Sequence, residues 1–140
     1  MSRDEKLDLL ARVPLFAGLG RRQLERLGML TEEVDLPEGR TLMRQGERGT
    51  ELMVVVDGTV RVERGGQQIA ERGAGEVLGE MALLDGGPRT ATVTLTSPGR
   101  LLIVGRREFD ALMEEFPEVR LRVLETLAGR LRTLETDGVH

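Results

Sequence analysis

Apolar residues fall into three successive rhythms along this chain of 140 residues. Over the first 30 they keep helical spacing. Leu7, Leu9, Leu10 and Val13 group before Pro14 ends the run, and Leu24, Leu27 and Leu30 repeat the grouping after a break at Gly18-Leu19-Gly20. Val13-Pro14-Leu15-Phe16 between them reads as a short turn. From Thr31 the period shortens to strand-like runs: Val34 and Leu36, Thr41-Leu42-Met43, Leu52 to Val56, Val60 and Val62, and a run opening at Ile69. Ala91, Val93 and Leu95 then alternate, and Leu101 to Val104 closes the set. The punctuation between runs is Pro37-Glu38-Gly39, Gln45-Gly46-Glu47, Asp57-Gly58, Gly65-Gly66 and Ser97-Pro98-Gly99. Asp57-Gly58, lying between two β-rich runs, predicts a hairpin there.

From Arg106 to Glu115 the helical period returns, with Phe109, Leu112 and Met113 on one face. Pro117 is placed to open a last helix at its first turn. That helix carries Leu124, Leu127, Leu131 and Leu134 on one stripe, suited to packing on the strands, to a dimer seam or to a mobile lid. Two heptads are too few for a coiled coil. Short strands at about ten-residue spacing, with glycine at nearly every corner, predict a mainly β protein with flanking helices. The expected architecture is an antiparallel closed or double-sheet barrel with N-terminal helices and two C-terminal helices. The expected boundaries, within one domain spanning 1–140, are helices over 1–30, barrel over 31–105 and helices over 106–135. Glycine makes up 18 of 140 residues, against a usual share of roughly 7%, and marks corners rather than a low-complexity tract.

Composition narrows the chemistry. There is no cysteine, so neither disulfides nor thiolate metal ligation are available, and the only histidine is His140. No apolar run approaches the roughly 18 residues of a membrane span, and Met1 to Asp8 is too charged for a secretory signal. A soluble, cytoplasmic protein without a membrane or metal partner is expected. The net charge of −4 argues against direct contact with nucleic acid, which needs a basic face. The basic residues are arginines apart from Lys6, and the aromatics are Phe16, Phe109 and Phe116 alone.

The richest stretch runs from Leu78 to Val93, LGEMALLDGGPRTATV. Gly79 allows backbone to approach a ligand closely. Glu80-Met81-Ala82-Leu83-Leu84 makes about one helical turn, whose leading N–H groups attract an anion. Asp85-Gly86-Gly87-Pro88 reverses the chain, and Arg89 supplies a permanently charged planar fork suited to phosphate. Gly79-Glu80 followed by Arg89, in the frame GE-x8-R-[TSA]-A, resembles the phosphate-binding cassette of cyclic nucleotide-binding domains. That family includes regulatory subunits of cyclic-nucleotide-dependent kinases, cyclic-nucleotide-gated channels and bacterial catabolite activator proteins.

The resemblance implies a jelly-roll (double-stranded β-helix) fold and a cyclic nucleotide held by Leu78, Gly79, Glu80, Met81, Ala82, Arg89, Thr90 and Ala91. Arg89 would take the cyclic phosphate, Glu80 would accept from the ribose 2′-hydroxyl, and Ala82 and Ala91 would allow close approach. In an empty pocket Glu80 and Arg89 would pair with each other. With no aromatic near the cassette, aliphatic packing and polar contacts hold the base, and Leu127, Arg130 and Leu131 are the candidate lid over it. Threonine directly after the arginine accompanies guanine in the kinase branch, yet one neutral hydrogen bond is worth only about 1 kcal/mol. The family's bacterial members favour cAMP over cGMP. No catalytic constellation is present, so a binding module is expected rather than an enzyme, with no cofactor beyond the nucleotide. Only Thr136 to His140 follow the leucine stripe, so the resemblance is to the sensor alone. Such a sensor acts on an effector in trans or within a larger chain, and the last helix is a candidate dimer contact. The alternative is an interaction scaffold of the same fold that uses no nucleotide.

Overall fold

Ser2 starts the first helix: its Oγ accepts from the Glu5 N–H at 3.1 Å, satisfying one of the donors that a helix start leaves open. The computed structural model describes residues 1–138, with side chains to residue 135, so His140 lies outside the described residues. Helix α1 (Arg3–Ala11) ends before Pro14, which opens a single 3-10 turn, Pro14–Phe16, and α2 (Arg21–Leu30) follows. The strands come as β1 (Glu32–Leu36), β2 (Thr41–Met43), β3 (Glu51–Asp57), β4 (Val60–Arg64), β5 (Gln67–Arg72) and β6 (Val77–Leu78). A short helix, α3 (Glu80–Asp85), separates β6 from β7 (Thr92–Leu95). Strand β8 (Gly99–Gly105) runs directly into α4 (Arg106–Glu115), and α5 (Glu118–Gly138) comes last, just after Pro117.

The strands form two four-stranded antiparallel sheets, ordered β1-β8-β3-β6 and β2-β7-β4-β5. This is the expected jelly roll. One turn is not what its sequence predicts. Asp57-Gly58 closes no hairpin, because β3 pairs with β6 and β8 while β4 pairs with β5 and β7. It is a corner at which the chain leaves one sheet for the other. The reason lies in what captures the next residue: Thr59 N donates to Ser97 Oγ at 3.0 Å, and Thr96 N donates to the Thr59 carbonyl at 2.9 Å. The outgoing strand is thereby delivered to β7 instead of folding back on β3. The true two-residue hairpin joins β4 to β5 at Gly65-Gly66, whose φ values of +61° and +80° are both positive, as a type I′ turn demands.

Alternation sets the core. Met53, Val55, Leu78 and Leu101 from the first sheet meet Met43, Val60, Val93 and Leu95 from the second. Full burial of such side chains is worth about 1.5–3 kcal/mol each. Strand β3 is buried on its other face too, at Leu52 and Val54, and α3 packs against this strand.

The residues divide into two compact units, Leu30–Phe109 with the strands and α3, and Met1–Met29 with everything from Asp110 onward. Within the helical unit α5 packs on the Pro14–Phe16 turn, burying Val119 and Val123. Gln23 ties the same unit together, accepting from Gly20 N at 2.8 Å and donating to Glu118 Oε1 at 2.7 Å. Arg26 Nε meets Glu115 Oε2 at 2.7 Å, and Arg122 Nη1 donates to the Gly18 carbonyl. Apart from the half-buried Leu127, the leucine stripe is turned outward rather than into packing. Leu124, Leu131 and Leu134 are 62%, 62% and 66% exposed. The buried edge is the neighbouring line through Val119 and Val123, since the turn after Glu115 presents that edge to Pro14–Phe16. No helix among the described residues is long and apolar enough to cross a membrane.

The inter-sheet corner yields a stability test. Gly58 has φ +103°, and a Cβ there would lie 2.7 Å from the Pro98 carbonyl oxygen and 2.9 Å from Gly99 Cα, both immobile backbone. Gly58→Ala should cost about 2–3 kcal/mol in urea unfolding. Gly129→Ala, at a site in α5 with nothing within 4 Å, should be neutral or mildly stabilising. Equal midpoints for the two variants would show that the corner tolerates a side chain.

Candidate functional site

Strand β6 ends at Leu78, and Gly79 turns the chain with φ +75°. A Cβ at this position would overlap Arg89 Nη1 and come within 2.8 Å of the Glu51 carbonyl oxygen and 2.9 Å of Met43 Cε. Glycine is therefore required twice here, by backbone angle and by space. Gly79 also leaves the start of α3 without a side-chain cap. The helix closes at Gly86, whose N–H reaches the Ala82 carbonyl at 2.8 Å with φ +63°. Asp85 Oδ1 accepts from Gly87 N at 2.8 Å, completing the reversal.

Arg89 is then gripped through its backbone by the loop after β2. Its N–H donates to the Glu47 carbonyl at 2.8 Å, and its carbonyl accepts from Gly46 N at 2.9 Å. Arg48 and Pro88 form a bridge beside them. The guanidinium turns back toward β3, where Nη1 donates to the Glu51 carbonyl oxygen at 3.0 Å. Burial pulls the Arg89 pKa below the ordinary arginine value, and the charge of Glu51 works in the opposite direction. Arginine remains protonated regardless. The result is a partly desolvated cation, the state in which a bound anion is most strongly favoured.

Between these segments lies a cavity of about 500 Å³, within the roughly 300–1,000 Å³ usual for small-molecule sites. Leu78, Gly79, Glu80, Met81 and Ala82 line one part of it and Arg89, Thr90 and Ala91 another. The structure thus brings all eight cassette residues to one cavity. Leu127, Arg130 and Leu131 belong to α5, in the other compact unit, where Leu131 is exposed and Leu127 and Arg130 are half-buried.

Sequence reasoning missed the wall opposite the cassette. Met43 and Val62 supply its apolar part together with Ile69, which is 51% exposed although apolar. Met81, 50% exposed, faces the same cavity from α3. The available signals were alternation, which places Val62 on the face of Val60, and an isolated isoleucine in the otherwise polar run Gln67–Arg72. Arg64, Arg72 and Glu76 add charge to this wall. Arg64 Nε donates to the Thr90 carbonyl at 3.0 Å, so the segment leading into β7 is tied to β4. Arg72 Nε stands 3.8 Å from Glu76 Oε1. The cavity thus combines a half-buried cation, a carboxylate and small residues on one side with aliphatic side chains rimmed by charged ones on the other. Such a set suits an anionic, hydroxyl-bearing ligand with a planar apolar group. Among the described residues, no three His, Asp or Glu gather into a metal-binding group.

Residues 33–116 match the family model described as cyclic nucleotide-binding domain. The chain is 37% identical over 108 residues to the Pycsar effector protein XpPycTIR of Xanthomonas perforans, covering 76% of this chain and 36% of that protein. It is 34% identical over 129 residues to the cyclic AMP receptor protein of Thermus thermophilus, covering 89% and 60% respectively. Against solved structures, it resembles the N-terminal domain of a transcriptional regulator from Streptomyces coelicolor, at TM-score 0.87 and 36% identity, covering 95% of this chain and 96% of that one. It also resembles the regulatory domain of Toxoplasma gondii PKA crystallised with cAMP, at TM-score 0.72 and 29% identity over 79% of this chain and 44% of that one. The chain spans only about a third to three-fifths of the curated relatives named here. With a matching family model across the strands and a jelly roll that gathers the cassette around one cavity, the chain belongs to the cyclic nucleotide-binding domain family.

Proposed function

We propose that the chain is a cyclic nucleotide sensor that binds cAMP in preference to cGMP and passes the binding event to a partner through its C-terminal helices. The observation that carries this reading is the half-buried Arg89 guanidinium beside Gly79 at the start of α3. The cyclic phosphate lies against Arg89 and the first-turn backbone of α3. The ribose 2′-hydroxyl donates to Glu80, and the base lies over Val62, Ile69 and Met81. Two relatives whose names specify a nucleotide, the Thermus receptor and the Toxoplasma regulatory domain, specify cAMP, which supports that choice.

The output is regulation rather than catalysis. Leu127, Arg130 and Leu131 close over the base, and the exposure of Leu131 leaves apolar surface in α5 for such closure to cover. The effector is a protein in trans or a further domain of a longer chain, and a homodimer through α5 is one way to transmit the change. The setting is the cytoplasm, with no direct nucleic-acid or membrane contact by this module.

Three measurements test this. Titration calorimetry should show Arg89→Ala losing at least tenfold in cAMP affinity while far-UV circular dichroism stays unchanged, since a charge-assisted contact is worth about 1.5–3 kcal/mol. Affinity within threefold of wild type would remove Arg89 from the phosphate site. Wild type should bind cAMP more tightly than its 2′-deoxy analogue, and Glu80→Gln should narrow that gap. Equal binding of the two sugars by wild type would leave Glu80 without this role. Hydrogen exchange should show cAMP raising protection over Val119 to Leu134. Protection confined to Leu78–Val93 would make α5 static and route the signal through the strands.

A further inference from the structure

Gly49 stands out among the described glycines outside the left-handed range for what fills the space its side chain would take. Nine others have positive φ, whereas the φ of Gly49 lies outside the left-handed range. Any residue can adopt its backbone. What forbids a side chain is the space: a Cβ at 49 would fall on Nε, Cζ and Nη2 of Arg89 together, inside any contact real side chains show. The guanidinium of Arg89 thus occupies the space that a side chain at Gly49 would fill. Its third nitrogen, Nη1, lies where a Cβ of Gly79 would be. Two glycines from distant parts of the chain therefore form the two walls of a slot, with the Glu51 carbonyl as acceptor at its end.

The loop bearing Gly49 is not free to drift from Arg89. Gly49 N reaches the Gly87 carbonyl at 3.4 Å, Arg48 bridges Pro88, and the two Arg89 backbone bonds to Gly46 and Glu47 complete the splint. We propose that Gly49 is a positioning residue of the nucleotide site: it is the floor on which the Arg89 guanidinium is seated, and its missing side chain fixes where the phosphate-binding fork points. This rests on the reading of Arg89 as the phosphate ligand. A side chain at 49 has backbone freedom to be accommodated, so the protein should fold, but the guanidinium must swing off its floor and lose the Glu51 contact. A fork displaced by more than about half an ångström no longer meets a bidentate acceptor well.

The test is a binding cycle with wild type, Gly49→Ala, Arg89→Ala and the double variant, titrated with cAMP, alongside an NMR contact between the Arg89 Nε–H and the Gly49 α-protons in the unliganded protein. Gly49→Ala should weaken cAMP binding about tenfold with its thermal midpoint close to that of wild type. In the Arg89→Ala background the same change should add nothing beyond about twofold, since no guanidinium remains to displace. If Gly49→Ala binds within threefold of wild type, or weakens the Arg89→Ala variant by the same factor as wild type, the proposal is overturned. If wild type binds no cyclic nucleotide, the functional reading fails, and the NMR contact alone decides whether the guanidinium is seated on Gly49. Its absence overturns the seat as well.

Discussion

A guanidinium drawn partly out of water has to be held by something, and much of this molecule's local architecture answers that demand at Arg89. The side chain reaches the Glu51 carbonyl at the start of β3. Its backbone is bracketed by Gly46 and Glu47 from the loop after β2. Those loops are in place because β2 pairs with β7 and β3 lies central in the other sheet, so both sheets contribute to one residue's setting. The Glu51 carbonyl and the Glu51 charge offset part of the cost of stripping water from the cation, and it is held in place without being fully compensated. That is the condition for an anion site that is attractive when empty and specific when filled.

The same constraint explains the two kinds of glycine around the cavity. Gly79 and Gly86 bracket α3 with left-handed backbone, one at each end, so the helix is held to six residues and its start is left without a side-chain cap. Gly49 needs no unusual angle and is small because a neighbour occupies its side-chain space. The apolar side obeys a different logic. Val62 and Met43 extend the inter-sheet core outward, while Ile69 and Met81 remain about half exposed at the cavity. A site built this way joins a rigid polar end to an aliphatic end that needs no ring to stack on.

The terminal helices are organised separately. Gln23, Arg26 and Arg122 fasten residues 18–26 to the segment from Glu115 to Arg122, which fixes the base of α5. Beyond Val123 the helix carries Leu124, Leu131 and Leu134 outward instead of inward. A helix anchored at its start and apolar on its exposed face has surface left for a further contact, whether with ligand or with another protein.

Local patterning decided a good deal without help. Periodicity placed the helices and strands, and the Leu78–Val93 stretch announced its strand, turn of helix, reversal and arginine, because each depends on residues a few positions apart. Gly79, Glu80 and Arg89 were legible for that reason. The tertiary structure decided what depends on partners far away in the chain. Asp57-Gly58 has a hairpin's chemistry but becomes a corner, because Ser97 and Thr96 take the bonds of Thr59. The α5 stripe reads as a packing face, a dimer seam or a lid, and the buried line is instead Val119 and Val123, because the contact surface is a turn some hundred residues earlier. Val62, Ile69 and Gly49 join the site only when β4, β5 and the loop after β2 come alongside the cassette. Spacing along the chain carries no information about which strand will lie across from which, and sheet pairing supplies that.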